Sequence, residues 1–266
     1  MKIQLSNIRN SFILAVTLMG ACATSMAATV VVTPDSPLWG TPAGEDKNGG
    51  SSAITMTMPN AGNGSLEMTG DRTRFVGLGD FYSPSSNLGL LDTVRALTYQ
   101  WAIATSSQAT LHPDYTPALR LHIFDGAQRS ELIWEGAYNG IYGNTTKGEF
   151  HESGVNDNFY RFVSGPGVTT LNGSQVNQSI ADWANGTTWY SDAAYVSAIS
   201  VGVGSSAGSL YRAFADNVTL DINGVSTTYN FEASAAAVPE PASVALIGLG
   251  LLGVAASRRK AAKRGN

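Results

Sequence analysis

The sequence is short of the residues that hold small exported domains and metal centres together. It has one cysteine, Cys22, in 266 residues, and this cysteine lies in a segment that we expect to be removed. A mature chain without cysteine forms no disulfides, so its stability must come from its hydrophobic core. The histidines lack the close pairs that transition-metal sites on strands or helices use; they are His112, His122 and His151. We therefore expect no transition-metal site.

Basic residues are scarce between the two ends of the chain. The whole sequence carries 16 Lys and Arg against 20 Asp and Glu, a net charge of −4. Seven of the basic residues and one acidic residue lie in the two terminal segments, so residues 28–237 carry 9 basic and 19 acidic residues. A chain of this kind offers no basic surface to phosphate backbones. We expect no nucleic-acid partner.

The first 27 residues have the pattern of a secretory signal peptide. Lys2 and Arg9 form a basic start, residues 12–19 an apolar run, and Ser25-Met26-Ala27 a small-residue cleavage site. We expect export through the Sec pathway and cleavage after Ala27 or Ala28. The alternative is a lipoprotein, because residues 19–22 loosely resemble a lipobox. The methionine at the first position of that motif and a second anchor at the other end of the chain argue against it.

The central region has almost no helical periodicity. Short runs of alternating apolar and polar residues are separated by Gly, Asn, Ser and Pro, most clearly at 97–103 and 119–123. In the second run, Arg120 and His122 point away from the apolar face. The pattern predicts eight to eleven strands in an all-β fold over residues 28–232, an antiparallel β-sandwich of jelly-roll type. Residues 179–184 could form one turn of helix, and 233–238 read as a small-residue linker.

The last 28 residues contain three parts in a fixed order. Pro239-Glu240-Pro241 comes first, residues 242–257 are apolar and uncharged, and Arg258-Arg259-Lys260 follows. As a transmembrane helix the apolar part would be about 24 Å long, short of the roughly 30 Å hydrocarbon core, and the basic side chains can snorkel to the headgroups. The basic cluster predicts a cytoplasmic C-terminus, and the two prolines keep Glu240 extended and exposed.

This arrangement resembles the PEP-CTERM sorting signal of bacteria that make exopolysaccharide. The resemblance covers residues 239–266 and implies that an exosortase reads Pro239, Glu240 and Pro241. The protein would be anchored transiently in the inner membrane and then reach the cell surface or the extracellular matrix of a biofilm. The alternative is an ordinary C-terminal membrane anchor. The central region is also similar, more diffusely, to jelly-roll, carbohydrate-binding-like bodies, through residues 117–124, 132–140, 215–220 and 228–232.

Several residues are candidates for binding or chemistry. Trp183, Trp189 and Tyr190 lie in a segment that reads as a loop and could stack on sugar rings, with core packing as the alternative. Asp216 and Asn217 could contribute to a structural calcium site, unless they only form an Asx-type turn. Carboxylate pairs of a glycosidase are assembled by folding, although solvent-facing charges are the simpler interpretation of the candidates, Glu131, Glu135, Glu149 and Glu152.

Residues 204–208 match the G-x-S-x-G pattern of a nucleophile elbow, but no helical pattern and no histidine follow them. We interpret them as a hairpin loop and expect no enzyme. The sequence instead predicts a structural or adhesive surface protein with no cofactor other than calcium. The alternatives are a glycan-binding, lectin-like module and, more distantly, a glycoside hydrolase or lyase.

Overall fold

The computed structural model describes residues 27–163, 177–185 and 189–234. The regular secondary structure of these residues is nearly all strand, with one short α-helix, α1 (Ile180–Asn185), and two 3-10 turns at Leu91–Thr93 and Gly136–Tyr138. The strands are β1 (Ala28–Val32), β2 (Trp39–Gly40), β3 (Ser51–Thr55), β4 (Ser65–Thr69), β5 (Phe75–Gly77), β6 (Gly89–Leu90), β7 (Ala96–Ile103), β8 (Ala118–Asp125), β9 (Gln128–Trp134), β10 (His151–Glu152), β11 (Phe159–Val163), β12 (Asn177–Gln178), β13 (Tyr195–Gly202), β14 (Arg212–Ile222) and β15 (Val225–Phe231).

The described strands form two sheets. The first sheet contains β1, β3, β4, β7, β10, β14 and β15, and the second contains the other eight strands, with β12-β11-β9-β8-β13-β5-β2 as its main order. Most pairs are antiparallel, as predicted, but β1 runs parallel to β15. These two strands come from opposite ends of the domain, so no hairpin turn dictates their relative direction.

Both sheets contribute to one hydrophobic core. Alternate residues of β7 and β8 point into it, in agreement with the predicted alternation at 97–103 and 119–123. Trp134 of the second sheet packs edge to face on Tyr99 of the first, with ring centroids 5.3 Å apart, and lies 6.0 Å from Trp101. The predicted all-β fold is confirmed.

The second sheet is also covered on its outer face. Arg120 and His122 point away from the core, as the alternation predicts, yet their side chains are buried. The loop after β5 covers His122, and the ring of Phe81 in that loop lies 4.8 Å from the His122 ring at an angle of 34°. Buried polar residues lie on this outer face, among them Arg120, His122 and Glu131.

Several predicted features lie outside the described residues. They are the sorting residues Pro239, Glu240 and Pro241, the apolar segment 242–257, the basic cluster Arg258, Arg259 and Lys260, and residues 1–26 of the expected signal peptide. Within the described ranges, no helix has the length and apolarity needed to cross a bilayer.

Candidate functional site

A cleft of about 520 Å³ opens on the outer face of the second sheet. In-register residues of three neighbouring strands line it: Ile133 of β9 pairs with Arg120 of β8 on one side and with Tyr160 of β11 on the other. Glu131 of β9 and Glu135, which directly follows β9, also line the cleft, while Leu132 and Trp134 point into the core. We call this site the Arg120 cleft; its wall also includes Arg74, Tyr115, Tyr138 and Ser205.

Glu131 is the centre of an ion cluster beside the cleft. Its carboxylate lies 3.0 Å from Arg74 Nη1, 3.7 Å from Arg120 Nε and 3.6 Å from His122 Nδ1, and Arg129 approaches within 3.9 Å. Burial alone would raise the pKa of Glu131, but the neighbouring His122 and guanidinium groups lower it to about 2. The sequence-based interpretation of Glu131 as a solvent-facing charge is wrong, because β9 is a central strand and its outer face is covered.

His122 is neutral in this cluster. Burial lowers its pKa to about 3, against the opposing effect of Glu131, and its Nε2 lies 2.8 Å from the hydroxyl of Ser200 on the adjacent strand. The positive charge around Glu131 therefore comes from arginines at neutral pH.

Arg120 has unused hydrogen-bonding capacity. Its side chain is buried and lines the cleft, yet Nε and Nη1 have no hydrogen-bond acceptor among the described residues. Burial lowers the pKa of this guanidinium, although an arginine stays protonated at physiological pH. Buried donors without acceptors are costly, so a ligand that supplies oxygen acceptors would be favoured here.

Glu135 and two tyrosines form the other end of the cleft. Tyr160 Oη donates a 3.0 Å hydrogen bond to Glu135 Oε1, and the Tyr160 and Tyr138 rings pack edge to face at 5.1 Å. Burial raises the pKa of Glu135 above its usual value. Glu135 is half-buried, so its interpretation as a solvent-facing charge is also wrong. Glu149 and Glu152 are exposed, as expected.

The predicted aromatic platform has a different environment from the one expected. Trp183 lies on α1, which confirms the turn of helix expected at 179–184; its side chain is 1% exposed, and its Nε1 donates a 2.8 Å hydrogen bond to the carbonyl of Phe159. Tyr190 is also buried, with its hydroxyl 2.9 Å from Ser130 Oγ, and Trp189 is half-buried. The core-packing interpretation is therefore confirmed for Trp183 and Tyr190, and neither forms an exposed platform.

Asp216 and Asn217 lie on β14, where the strand bulges. Asp216 is fully buried, and its Oδ1 accepts a 2.8 Å hydrogen bond from the Asn217 amide. Asn217 adopts a left-handed backbone conformation, with φ of 47°. In the described part of the chain, no group of three or more His, Cys, Asp or Glu side chains is placed to hold a metal ion.

Residues 204–208 do not form a nucleophile elbow. They lie in the loop that leads from β13 in the second sheet to β14 in the first, so the expected hairpin is instead a connection between sheets. No helix follows them among the described elements between 204 and 234. Ser205 lines the Arg120 cleft without a histidine beside it in the cleft wall.

Sequence reasoning missed Arg74, Arg120, Tyr138 and Tyr160 as site residues. A signal was present: charged residues occupy the outward positions of two consecutive predicted strands, at Arg120 and His122 and at Glu131 and Glu135. Such positions are expected to be polar on any half-exposed sheet, and only the fold reveals that they are buried together.

Comparison with known proteins identifies the C-terminal segment. Residues 237–260 match the PEP-CTERM protein-sorting motif. The chain carries a sorting motif. No curated protein matches the chain. The PEP-CTERM motif implies export, membrane-associated processing by an exosortase and delivery to the cell surface.

Proposed function

We propose that this PEP-CTERM protein is an adhesive cell-surface protein whose body, a jelly-roll sandwich, binds a glycan of the surrounding exopolysaccharide in the Arg120 cleft. The observation that carries the proposal is the buried Arg120 side chain, which lines the cleft and has two buried nitrogens, Nε and Nη1, without a hydrogen-bond acceptor among the described residues. Sugar hydroxyl and carboxylate oxygens are acceptors of the kind that an arginine binds well.

The rest of the cleft fits the same ligand class. The rings of Tyr138 and Tyr160 offer apolar faces on which sugar rings stack. The carboxyl group of Glu135 adds a hydrogen-bonding group beside them. A single site of this kind binds weakly, but many copies along one polymer raise the apparent affinity without any new contact.

Delivery to the cell surface would bring this weak binding site to the polymer that we propose it binds. A protein held transiently in the inner membrane, cleaved by an exosortase and released at the surface meets long polysaccharide chains at high local concentration. Weak binding at many sites would then retain the protein in the matrix and contribute to biofilm cohesion.

A glycoside hydrolase or lyase is the second candidate. It is favoured by one observation: Glu131 and Glu135 border the same cleft, and their pKa values are displaced in opposite directions, as in enzymes that use one carboxylate and one carboxylic acid. Glu131, however, is surrounded by arginines, which makes it a weak nucleophile or base. We therefore favour binding over catalysis.

Affinity electrophoresis of the surface-delivered protein tests the proposal. We expect retardation in gels that contain the organism's own polysaccharide and loss of retardation for Tyr138→Ala and Arg120→Lys, with Tyr195→Ala as a half-exposed aromatic control outside the cleft. Equal migration of wild type with and without polymer would overturn the proposal. Release of reducing sugar or unsaturated ends by wild type, but not by Glu135→Gln, would support the enzyme instead.

A further inference from the structure

A second polar site lies on the outer face of the first sheet, away from the Arg120 cleft. It forms where β14 changes its neighbour: Arg212–Ala215 pair with β4, whereas Val218–Ile222 pair with β15, and β7 continues along the other side. The loop 58–64 fills the gap between β4 and β15. We define the Asp216 cluster as the six side chains that meet there, Asn60, Gln100, Asp216, Asn217, Asn230 and Glu232.

Asp216 is the buried centre of this cluster. Its Oδ1 accepts two backbone hydrogen bonds, from Phe231 at 2.7 Å and from Asn217 at 2.8 Å. Its Oδ2 is buried and has no hydrogen-bond partner among the described residues. Glu232 and Asn60 both lie close enough to Asp216 to influence its carboxyl group. The site thus contains a buried carboxylate oxygen without a hydrogen-bond partner in the described part of the chain and a second carboxylate nearby.

Glu232 brings a second carboxylate to the cluster. It is buried, its Oε2 accepts a 2.5 Å hydrogen bond from the Asn63 amide, and its Oε1 accepts a 2.8 Å bond from Asn230 Nδ2. Gly62 packs its backbone so closely on this carboxylate that a Cβ atom would clash with it. Among the described residues, the ion pairs of the chain include neither Asp216 nor Glu232.

Amide oxygens complete the set of candidate ligands. Asn230 Oδ1 is buried without a partner among the described residues. Gln100 Oε1 is approached by Asn60 Nδ2 at 2.5 Å and by Asn217 Nδ2 at 2.8 Å. The cluster therefore offers two carboxylates and several amide oxygens, and it contains no nitrogen or sulfur ligand.

We propose that the Asp216 cluster binds a divalent cation and that Ca²⁺ is the ion it fits best. Ca²⁺ takes six to eight oxygen ligands from carboxylates, amides and carbonyls in flexible geometry, whereas transition metals favour imidazole and thiolate. Two carboxylates balance the charge of one such ion. Unlike Mg²⁺, Ca²⁺ does not require a strict octahedron, which suits a site made from a bulge, a strand end and a loop.

The bound ion would stabilise the C-terminal end of the domain. Glu232 follows β15 directly, and Asn63 in the loop 58–64 donates to Glu232 and, through Nδ2, to the Ser234 hydroxyl at 2.9 Å. A cation shared by Asp216 and Glu232 would join β14, β15 and this loop at the point where the chain leaves the sandwich toward residues 237–260. The site would thus stabilise the folded domain close to its sorting segment.

Thermal unfolding of the full chain in detergent tests the inference. After chelation, added CaCl₂ should raise the midpoint of wild type, by roughly 5 to 10 °C at a hundredfold excess over Kd. Asp216→Asn and Glu232→Gln should abolish the rise, and Asp221→Asn, farther along β14, should retain it. MgCl₂ should have a smaller effect. Asp216→Asn replaces a buried unpaired carboxylate by an isosteric amide, so we expect it to fold without calcium.

Terbium luminescence gives an independent measurement. Tb³⁺ at the site should be sensitised by the aromatic residues of the domain, displaced by Ca²⁺, and lost in both cluster variants. No calcium-dependent shift together with no sensitised emission in wild type would overturn the inference. A calcium response that persists in Asp216→Asn and Glu232→Gln would overturn it as well, because the ion would then bind elsewhere.

Discussion

Arg74 and Glu131 form an ion pair of 3.0 Å although 57 residues separate them in the chain. Arg74 directly precedes the edge-proximal strand β5, and Glu131 lies in the middle of β9 with only 3% of its side chain exposed. The pair therefore joins the segment before β5 to the centre of the second sheet and closes one side of the Arg120 cleft. Loss of this buried pair should therefore destabilise the outer face and also change the shape of the Arg120 cleft.

Removal of the Glu131 charge should be strongly destabilising. Glu131→Gln removes the buried carboxylate that Arg74, Arg120 and Arg129 approach within 3.9 Å, and breaking a buried pair typically costs about 3–5 kcal/mol. We expect a loss of that size in the free energy of unfolding measured with urea. The control is Glu152→Gln, an exposed residue of β10, which should change stability by less than about 0.5 kcal/mol. Equal effects of the two variants would contradict the role of the ion cluster.

Trp183→Ala should destabilise the domain rather than alter only its surface. The variant loses a fully buried indole and its hydrogen bond to the carbonyl of Phe159, and truncating a buried tryptophan typically costs about 3–5 kcal/mol. Chemical denaturation should detect this loss, while Met56→Ala, at a 72% exposed position, should be close to neutral. A stable Trp183→Ala protein with weaker glycan binding would restore the aromatic-platform hypothesis.

The fold was more predictable than the sites, and β8 illustrates why. The alternation of Leu119, Leu121 and Ile123 with Arg120 and His122 identifies a strand and its core face from the sequence alone. His122 is covered by Phe81, a residue of a distant loop, and no local pattern encodes that contact. The burial of His122 could therefore not be predicted from the sequence.

The C-terminal motif could be predicted from the sequence, whereas the surroundings of Asp216 could not. Pro239-Glu240-Pro241, the apolar segment and the basic cluster are contiguous, so the sorting motif can be read directly from the chain. Asp216 was a candidate ligand from sequence, but its partners Gln100, Asn60 and Glu232 come from three other segments. The parallel pairing of β1 with β15 was missed for the same reason, because it joins the two ends of the domain.

The domain should fold without its terminal segments. Residues 28–234 contain no cysteine, and both sheets and their shared core lie within this range. We expect this fragment to be soluble, to give a β-type circular dichroism spectrum, and to unfold at the same temperature with or without reducing agent. Strong helical minima would contradict the all-β fold.

The sorting motif should control release from the membrane but not export. The sorting motif implies processing by an exosortase, so replacing Pro239, Glu240 and Pro241 by alanine should trap an exported protein in the inner membrane. Fractionation with a C-terminal epitope tag measures this: wild type should lose the tag before it reaches the surface, and the variant should retain it. A tag that remains on surface-delivered wild type would contradict processing.

The pH dependence of stability should report the unpaired charge of Asp216. Its pKa is about 7 in the folded protein, against an ordinary value of 3.8, so between these values the folded state holds a proton that the unfolded state has released. The stability contributed by this group is therefore fully present below about pH 4 and is lost as the pH rises through 7, by a few kcal/mol in total. His122 changes stability in the opposite direction between pH 3 and 6.5. Because His122 is present in every variant, its effect cancels when the stability of wild type is subtracted from that of a variant.

Urea unfolding in the presence of a chelator tests this pH dependence. Asp216→Asn should become progressively more stable than wild type from about pH 4 to about pH 7.5. Asp221→Asn should give no such trend, and saturating calcium should remove the trend from wild type, because the ion replaces the missing positive partner. A difference between wild type and Asp216→Asn that does not vary with pH would mean that the Asp216 carboxylate is already compensated in the folded protein.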